Sequence, residues 1–383
     1  MTQARERILD RVRREGPIAF DVFMEEALYG EHGFFTHGHG AGRRGGDFVT
    51  SPEVGPLFGA LVARALDEEW DALDAPDPFV VVDAGAGRGR LAADVLAAAP
   101  RCAPALRYVL VERSEALRGA QRDLVVLEPA EDALGPAVPE PDGAWAPVGG
   151  VGPIAASLAQ LPAVEVTGVV VANELLDNLP FRIVERAHQG WQEVRVGASN
   201  DRLTEELVPA SAELSQVAES VAFGAVPSGA RVPVPTGARA WLDASAAVLR
   251  RGVLIVVDYA EPASELVARG SDGWLRTFRA HQRGSSPLDD PGTQDITADV
   301  PLEYLRHGAA TLGFTLVHET TQREWLQGLG LDELVAEARA EWDRRAHVGD
   351  LDAVKHRSRV TEAAALVDPA GLGAHRVLVF SVG

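Results

Sequence analysis

Three groups of residues in this sequence have the types and spacing to do chemistry. The first is Asp83-Ala84-Gly85-Ala86-Gly87-Arg88-Gly89, directly after the apolar run Phe79–Val82. Glycines at alternate positions let a backbone turn sharply and approach a ligand. A helix starting behind them near Leu91 would aim its free N–H groups at negative charge on that ligand. This is the chemistry of a nucleotide-like cofactor site. The second group, Asn173-Glu174-Leu175-Leu176-Asp177-Asn178, ends the apolar run Val166–Ala172. Polar and acidic side chains at the carboxyl end of a buried strand face the crevice where doubly wound sheets bind ligands; the alternative is that Asn173 and Asp177 only form a turn and cap. The third group, Asp47-Phe48-Val49-Thr50-Ser51-Pro52-Glu53, reads either as a helix start with proline in the first turn or as the edge of a cofactor lid.

Two further positions belong with these. Glu112 follows the strand Leu106–Val111 and comes 25 residues after Gly87, where α/β folds hold the two hydroxyls of a ribose. His281 and Asp295 precede and follow a Pro- and Gly-containing loop and could be site residues or ordinary loop and cap residues. His32, His37 and His39 fall in a Gly-rich stretch, but no acidic or cysteine ligand completes a metal site at a suitable spacing, so no metal is expected.

The elements that must position these groups follow from periodicity. Residues 1–29 and 51–70 carry apolar residues at helical spacing. Buried strands are expected at 79–82, 106–111, 166–172, 253–257, 314–318 and 376–382, with a helix around Ile154–Leu161. Phe181–Glu185 and Trp191–Val196 alternate like a hairpin, a short strand is expected near Trp145, and 197–235 shows no strong periodicity. Trp241–Arg250 and Leu331–Ala365 read as helical, and Thr297 or Asp299 is expected to cap a helix through Ala310. Strand alternating with helix is the pattern of a parallel sheet covered on both faces. The expected organisation is an N-terminal helical and lid segment over 1–72, then a core over 73–383 with an insertion at about 181–235.

Composition narrows the function. The net charge of −20 would repel a phosphate backbone and is compatible with a basic partner. No nucleic acid and no membrane is expected, since the longest apolar runs are far too short to span a bilayer. Cys102 is the sole cysteine, which excludes an intramolecular disulfide and fits a reducing compartment. The Arg-rich N-terminus has acidic residues and no apolar core, so it does not read as a targeting peptide, and a cytoplasmic location is expected.

A dinucleotide fingerprint requires glycine five positions after Gly85, where this chain has Arg90. The acidic-x-Gly-x-Gly-x-Gly pattern instead resembles that of S-adenosyl-L-methionine methyltransferases. Gly16-Pro17-Ile18, Phe23-Met24, Ala27-Leu28-Tyr29, Gly46-Asp47-Phe48, Thr50-Ser51-Pro52-Glu53-Val54, Asn173–Pro180, Pro291-Gly292 and Asp295-Ile296-Thr297 closely resemble segments of the MidA-like methyltransferases, relatives of a mitochondrial complex I assembly factor. Two departures are Ala86 for the usual proline and Ala260 for the usual glycine.

The resemblance implies an α/β class I methyltransferase fold, Rossmann-like, with a mostly parallel seven-stranded sheet, helices on both faces, an N-terminal helical extension and an inserted hairpin or lid. It implies S-adenosyl-L-methionine as cofactor, held by Asp47, Thr50, Ser51, Asp83, Gly85, Gly87, Gly89, Glu112 and Asn173. By analogy with the mitochondrial member it implies methylation of arginine in a basic protein partner. For such an acceptor, always charged, a carboxylate fork is the natural clamp, and Glu174 and Asp177, with Asp295, are the expected catalytic residues. A small-molecule acceptor, a cofactor-binding assembly factor without catalysis, and the oligomeric state stay open.

Overall fold

Seven strands form the central sheet: β1 Phe79–Ala84, β2 Leu106–Val111, β3 Ile154–Leu158, β4 Val166–Asn173, β5 Leu249–Asp258, β6 Thr315–Thr321 and β7 Arg376–Val382. Their order is β3-β2-β1-β4-β5-β7-β6. The pairs among β1 to β5 are parallel, and β7 lies antiparallel between β5 and β6. The computed structural model describes residues 2–38, 49–135, 150–222, 224, 226–280, 282–284, 286–345, 347 and 351–383. His39, Asp47, the strand expected near Trp145, and His281 lie outside the described residues.

The inner strands β1, β2, β4 and β5 are buried along most of their length because they are mostly apolar, as parallel strands must be when helices cover both sides, whereas the edge strand β6 is largely exposed. In β1, Phe79 and Val81 join a core with the helices Pro56–Ala72 and Arg90–Ala97, whereas Val80 and Val82 turn to the helices Thr236–Val248 and Leu302–Thr311. Gly168 of β4 sits opposite Val80 and Gly252. A Cβ on Gly168 would lie 2.0 Å from the Val80 carbonyl oxygen, so the close spacing of these strands requires glycine there.

The N-terminal segment is helical over Gln3–Glu15 and Phe20–Tyr29, with the short strand Ile18–Ala19 between. That strand joins a second, antiparallel sheet with Arg182–Ala187, Gly190–Ser199, Arg202–Pro209 and Arg231–Val234. Phe20, Phe23 and Leu28 pack there against Phe181, Ile183 and Val194. The stretch 197–235 thus holds two strands and the helix Ala212–Ala222, hidden from periodicity because the outer strand is mostly exposed.

Four other expectations are corrected. Ile154–Leu158 is a strand, not a helix: it hydrogen-bonds along β2 at the sheet edge, and that pairing overrides the helical preference of its alanines. The helix expected over 51–70 is two, Ser51–Val54 and Pro56–Ala72, because Pro56 cannot continue a preceding helix and starts a new one. The helix expected over Trp241–Arg250 stops at Val248, and Leu249 and Arg250 already belong to β5. Asp295–Ala298 is a strand paired with Leu275–Arg279, and the following helix begins at Leu302. Asp299 therefore caps nothing and instead accepts from Arg269 and Arg276.

Candidate functional site

The carboxyl ends of β1, β2 and β4 open onto a cavity of about 530 Å³, within the usual range for a small-molecule site. Its walls are the Gly85–Arg88 turn, Glu112 and Arg113, Ala159–Leu161 after β3, Asn173–Leu175 after β4, and Tyr29, Phe35, Thr50, Pro52 and Glu53 from the N-terminal segment.

The glycine turn is held by its neighbours. Gly85 and Ala86 donate their N–H groups to the Val111 carbonyl at 2.9 and 3.0 Å, and Gln121 Nε2 donates to the Gly87 carbonyl at 2.9 Å. Gly87 has φ +53° and a Cβ there would meet no protein atom within 4 Å, so it would project into open space. Gly89 is required for its backbone, which has φ +82°, and a Cβ there would also press on the Leu110 side chain at 2.9 Å.

Two carboxyl groups frame this turn. Glu112 Oε2 accepts the Gly87 N–H at 3.0 Å and Oε1 accepts the Ser114 N–H at 2.8 Å. Burial pushes this carboxyl upward while the two N–H donors oppose the shift. Asp83 is 3% exposed and accepts from the Tyr108 hydroxyl at 3.2 Å; burial pushes it up to about 7.

The loop after β4 forms the opposite wall. Glu174 adopts φ +51°, a left-handed conformation that a non-glycine residue holds only when its surroundings enforce it. The enforcement is visible: Glu174 N–H donates to the Val257 carbonyl at 2.8 Å, and Asp258 Oδ2 accepts Leu175 and Leu176 N–H at 3.1 and 2.7 Å. Glu174 Oε1 accepts the Ser51 N–H at 2.9 Å and Asn173 Nδ2 at 3.2 Å. Burial, reinforced by the nearby Asp177 carboxylate, pushes Glu174 up to about 8 against those hydrogen bonds.

Asp177 and Asp295 are not part of this wall. Asp177, 5% exposed, accepts from Thr297 Oγ1 at 2.5 Å; burial pushes it up to about 6. Asp295, 3% exposed, accepts Asn178 Nδ2 at 2.9 Å. Both tie the loop to the strand Asp295–Ala298 and lie behind the surface that Glu174 presents.

Of the residues singled out in the sequence, Thr50, Asp83, Gly85, Gly87, Glu112, Asn173 and Glu174 line one cavity. Ser51, Gly89, Asp177 and Asp295 stand behind it, and Asp47 is outside the described residues. Sequence reasoning missed the aromatic roof. Tyr29 stacks on Phe35 at 5.4 Å between centroids, the Arg113 guanidinium lies 4.4 Å from the Tyr29 ring centre, and the Tyr29 hydroxyl donates to the Asn178 carbonyl at 3.2 Å. The one available signal was the family-like Ala27-Leu28-Tyr29. Ala159–Leu161 was missed because its strand read as helix. Among the described residues no group of three or more His, Cys, Asp or Glu is placed to hold a metal, and no helix is long and apolar enough to cross a membrane.

A model of a family of S-adenosyl-L-methionine-dependent methyltransferases matches residues 61–320. The chain is 30% identical over 347 residues to the mitochondrial protein arginine methyltransferase NDUFAF7 homolog of Drosophila melanogaster, covering 86% of this chain and 74% of the relative. It is 28% identical over 349 residues to the mitochondrial protein arginine methyltransferase NDUFAF7 of Homo sapiens, covering 85% and 73%. A crystal structure of a Burkholderia thailandensis protein bound to S-adenosyl-homocysteine is 27% identical, with TM-score 0.79, over 99% of this chain and 91% of that one. The curated relatives are named as mitochondrial, which overturns the cytoplasmic expectation.

Proposed function

We propose, from the premise that this chain belongs to the MidA-like family of S-adenosyl-L-methionine-dependent methyltransferases, that its acceptor is an arginine side chain of a basic protein partner and that Glu174 anchors it. The chain is a methyltransferase of α/β fold, and S-adenosyl-L-methionine is its cofactor.

The cavity fits that cofactor. Gly87 lines the cavity with open space where a Cβ would stand, room that a cofactor would use. Asn173 Oδ1 is a buried acceptor with no partner among the described residues, suited to an ammonium donor such as the cofactor's amino group. Glu112 would take the ribose hydroxyls on lone pairs left free by its two backbone donors. The cofactor supplies a sulfonium methyl group, and the rest is alignment and exclusion of water. Tyr29, Phe35 and the Thr50–Glu53 segment would close the cavity from above.

The observation that carries the acceptor assignment is Glu174, a half-buried residue on the cavity wall whose Oε1 accepts from two donors. An arriving guanidinium would favour its ionised form and supply the opposite charge that burial otherwise lacks. The names of the curated relatives support arginine as the acceptor, and the acidic surface supports a basic partner. In place of the three-carboxylate clamp, Glu174 would contact the acceptor while Asp177 and Asp295 shape the loop behind it. Labelled-methyl transfer to arginine-bearing peptides tests the proposal: label on arginine that is lost in Glu174→Gln is expected. Equal labelling by both forms, or label on another residue type, would overturn it.

A further inference from the structure

We infer that Gln322 is a positioning residue for Glu174, acting through Ser51. This rests on the reading of Glu174 as the acceptor's anchor.

Gln322 stands immediately after β6, on the first turn of the helix Gln322–Gly328. A glutamine there would ordinarily reach into water. Instead Gln322 is fully buried, an arrangement that costs free energy unless both amide atoms find partners. They do: Oε1 accepts from Ser51 Oγ at 2.8 Å, and Nε2 donates to the Leu366 carbonyl at 3.0 Å. Its backbone N–H donates to the His375 carbonyl at 2.7 Å. The preceding residue closes a capping box, with Thr321 N–H donating to Glu324 Oε2 at 3.0 Å and Glu324 N–H donating to Thr321 Oγ1 at 3.3 Å. Gln322 is thus fixed at main chain and side chain alike.

Ser51 is also fully buried and makes two different contacts. Its hydroxyl donates to Gln322 Oε1 at 2.8 Å and also lies near enough to Glu174 to favour the ionised carboxyl, and its N–H donates to Glu174 Oε1 at 2.9 Å. The hydroxyl anchors the residue, and the amide pins one oxygen of the carboxyl. Thr50, Pro52 and Glu53, on either side of Ser51, line the cavity. A glutamine 271 residues away thereby sets where the wall segment sits and how Glu174 is oriented. Ser51, expected from the sequence to hold the cofactor, would thus also act on the acceptor side through Glu174.

The test uses the full chain with Ser51→Ala, Gln322→Ala, their double variant and Glu174→Gln. Each is measured for kcat and KM on an arginine-bearing peptide, S-adenosyl-homocysteine affinity, thermal unfolding, and the pH profile of kcat/KM. Each of the first two single variants is expected to lose roughly tenfold or more in kcat/KM, the scale of a small misalignment. The double variant is expected to be no worse than the larger single loss, as for two residues acting through one contact.

The acidic limb of the profile should also move to higher pH. The Ser51 N–H and hydroxyl and the Asn173 side chain favour ionised Glu174, and the two variants disturb only the Ser51 contribution, while the other groups facing Glu174, Asp177, Asp258 and Tyr259, are unchanged. Additive losses, or losses that follow the unfolding temperature with the limb unmoved, would overturn the inference. Ser51→Ala removes only a hydroxyl and carries the test if Gln322→Ala does not fold. Full activity in Glu174→Gln would sink the acceptor reading itself; an inactive Glu174→Gln beside parent-like Ser51→Ala and Gln322→Ala would sink only the positioning role.

Discussion

Glu112 Oε2 accepts the N–H of Gly87 at 3.0 Å, joining the end of β2 to the middle of the glycine turn. The residue proposed to hold the ribose therefore also shapes the turn beside it. Glu112→Ala removes both roles and is expected to weaken S-adenosyl-homocysteine binding at least about tenfold, since a hydrogen bond to a charged group contributes roughly 1.5–3 kcal/mol. Isothermal calorimetry checks this, and an unchanged affinity would remove Glu112 from the cofactor site.

Tyr29 offers a test of the roof. Tyr29→Phe keeps the stack on Phe35 and the ring beneath Arg113 and loses only the 3.2 Å hydrogen bond to the Asn178 carbonyl. Tyr29→Ala loses all three. The expected order of cofactor affinity is wild type, then Phe within about threefold, then Ala weaker by about tenfold, given the ~0.5–1.5 kcal/mol typical of an aromatic pair and a similar hydrogen-bond contribution.

Glu174 predicts an unusual pH dependence of stability. Its folded value of about 8 exceeds the ordinary ~4.3 of an unfolded chain, so the native state binds more protons in that interval. Its contribution to stability is intact below the unfolded value and declines as pH rises through the window to about 8. Glu174→Gln removes the ionisation and keeps an oxygen for the Ser51 N–H. It is expected to unfold at a temperature roughly 3 °C or more above wild type at pH 8.5, with the difference shrinking toward pH 4.5. Differential scanning calorimetry at the two pH values measures it, and a constant difference would contradict the raised value.

Gly168→Ala tests the sheet. The added Cβ would lie 2.0 Å from the Val80 carbonyl oxygen, and β1 and β4 would have to part to admit it. A loss of about 3 kcal/mol is expected, at the upper end of overpacking costs, read as a lowered denaturation midpoint in urea. A neutral result would mean that these central strands can separate without cost.

Local spacing was sufficient for much of this molecule. The alternating glycines from Gly85 to Gly89, the apolar strands on either side of them and the acidic ends at Glu112 and Glu174 are short-range patterns. A buried parallel strand and a tight turn each impose their requirements within a few residues. The antiparallel insertion and β3 were less legible, because exposed or alanine-rich strands owe their conformation to a partner strand.

The division of labour among the acidic residues was decided by the tertiary structure alone. Asp177 and Asp295 have the same chemistry as Glu174, but the strand Asp295–Ala298 packs against the loop after β4 and takes them into its own hydrogen bonds. Ser51 looked like a lid or cap residue, and its partner Gln322 showed no signal at all. Contacts between residues hundreds of positions apart depend on how the sheet orders its strands, and local periodicity does not contain that order. The sequence alone thus identified the glycine turn and its strands, while the fold determined which of Glu174, Asp177 and Asp295 lines the cavity and what holds it there.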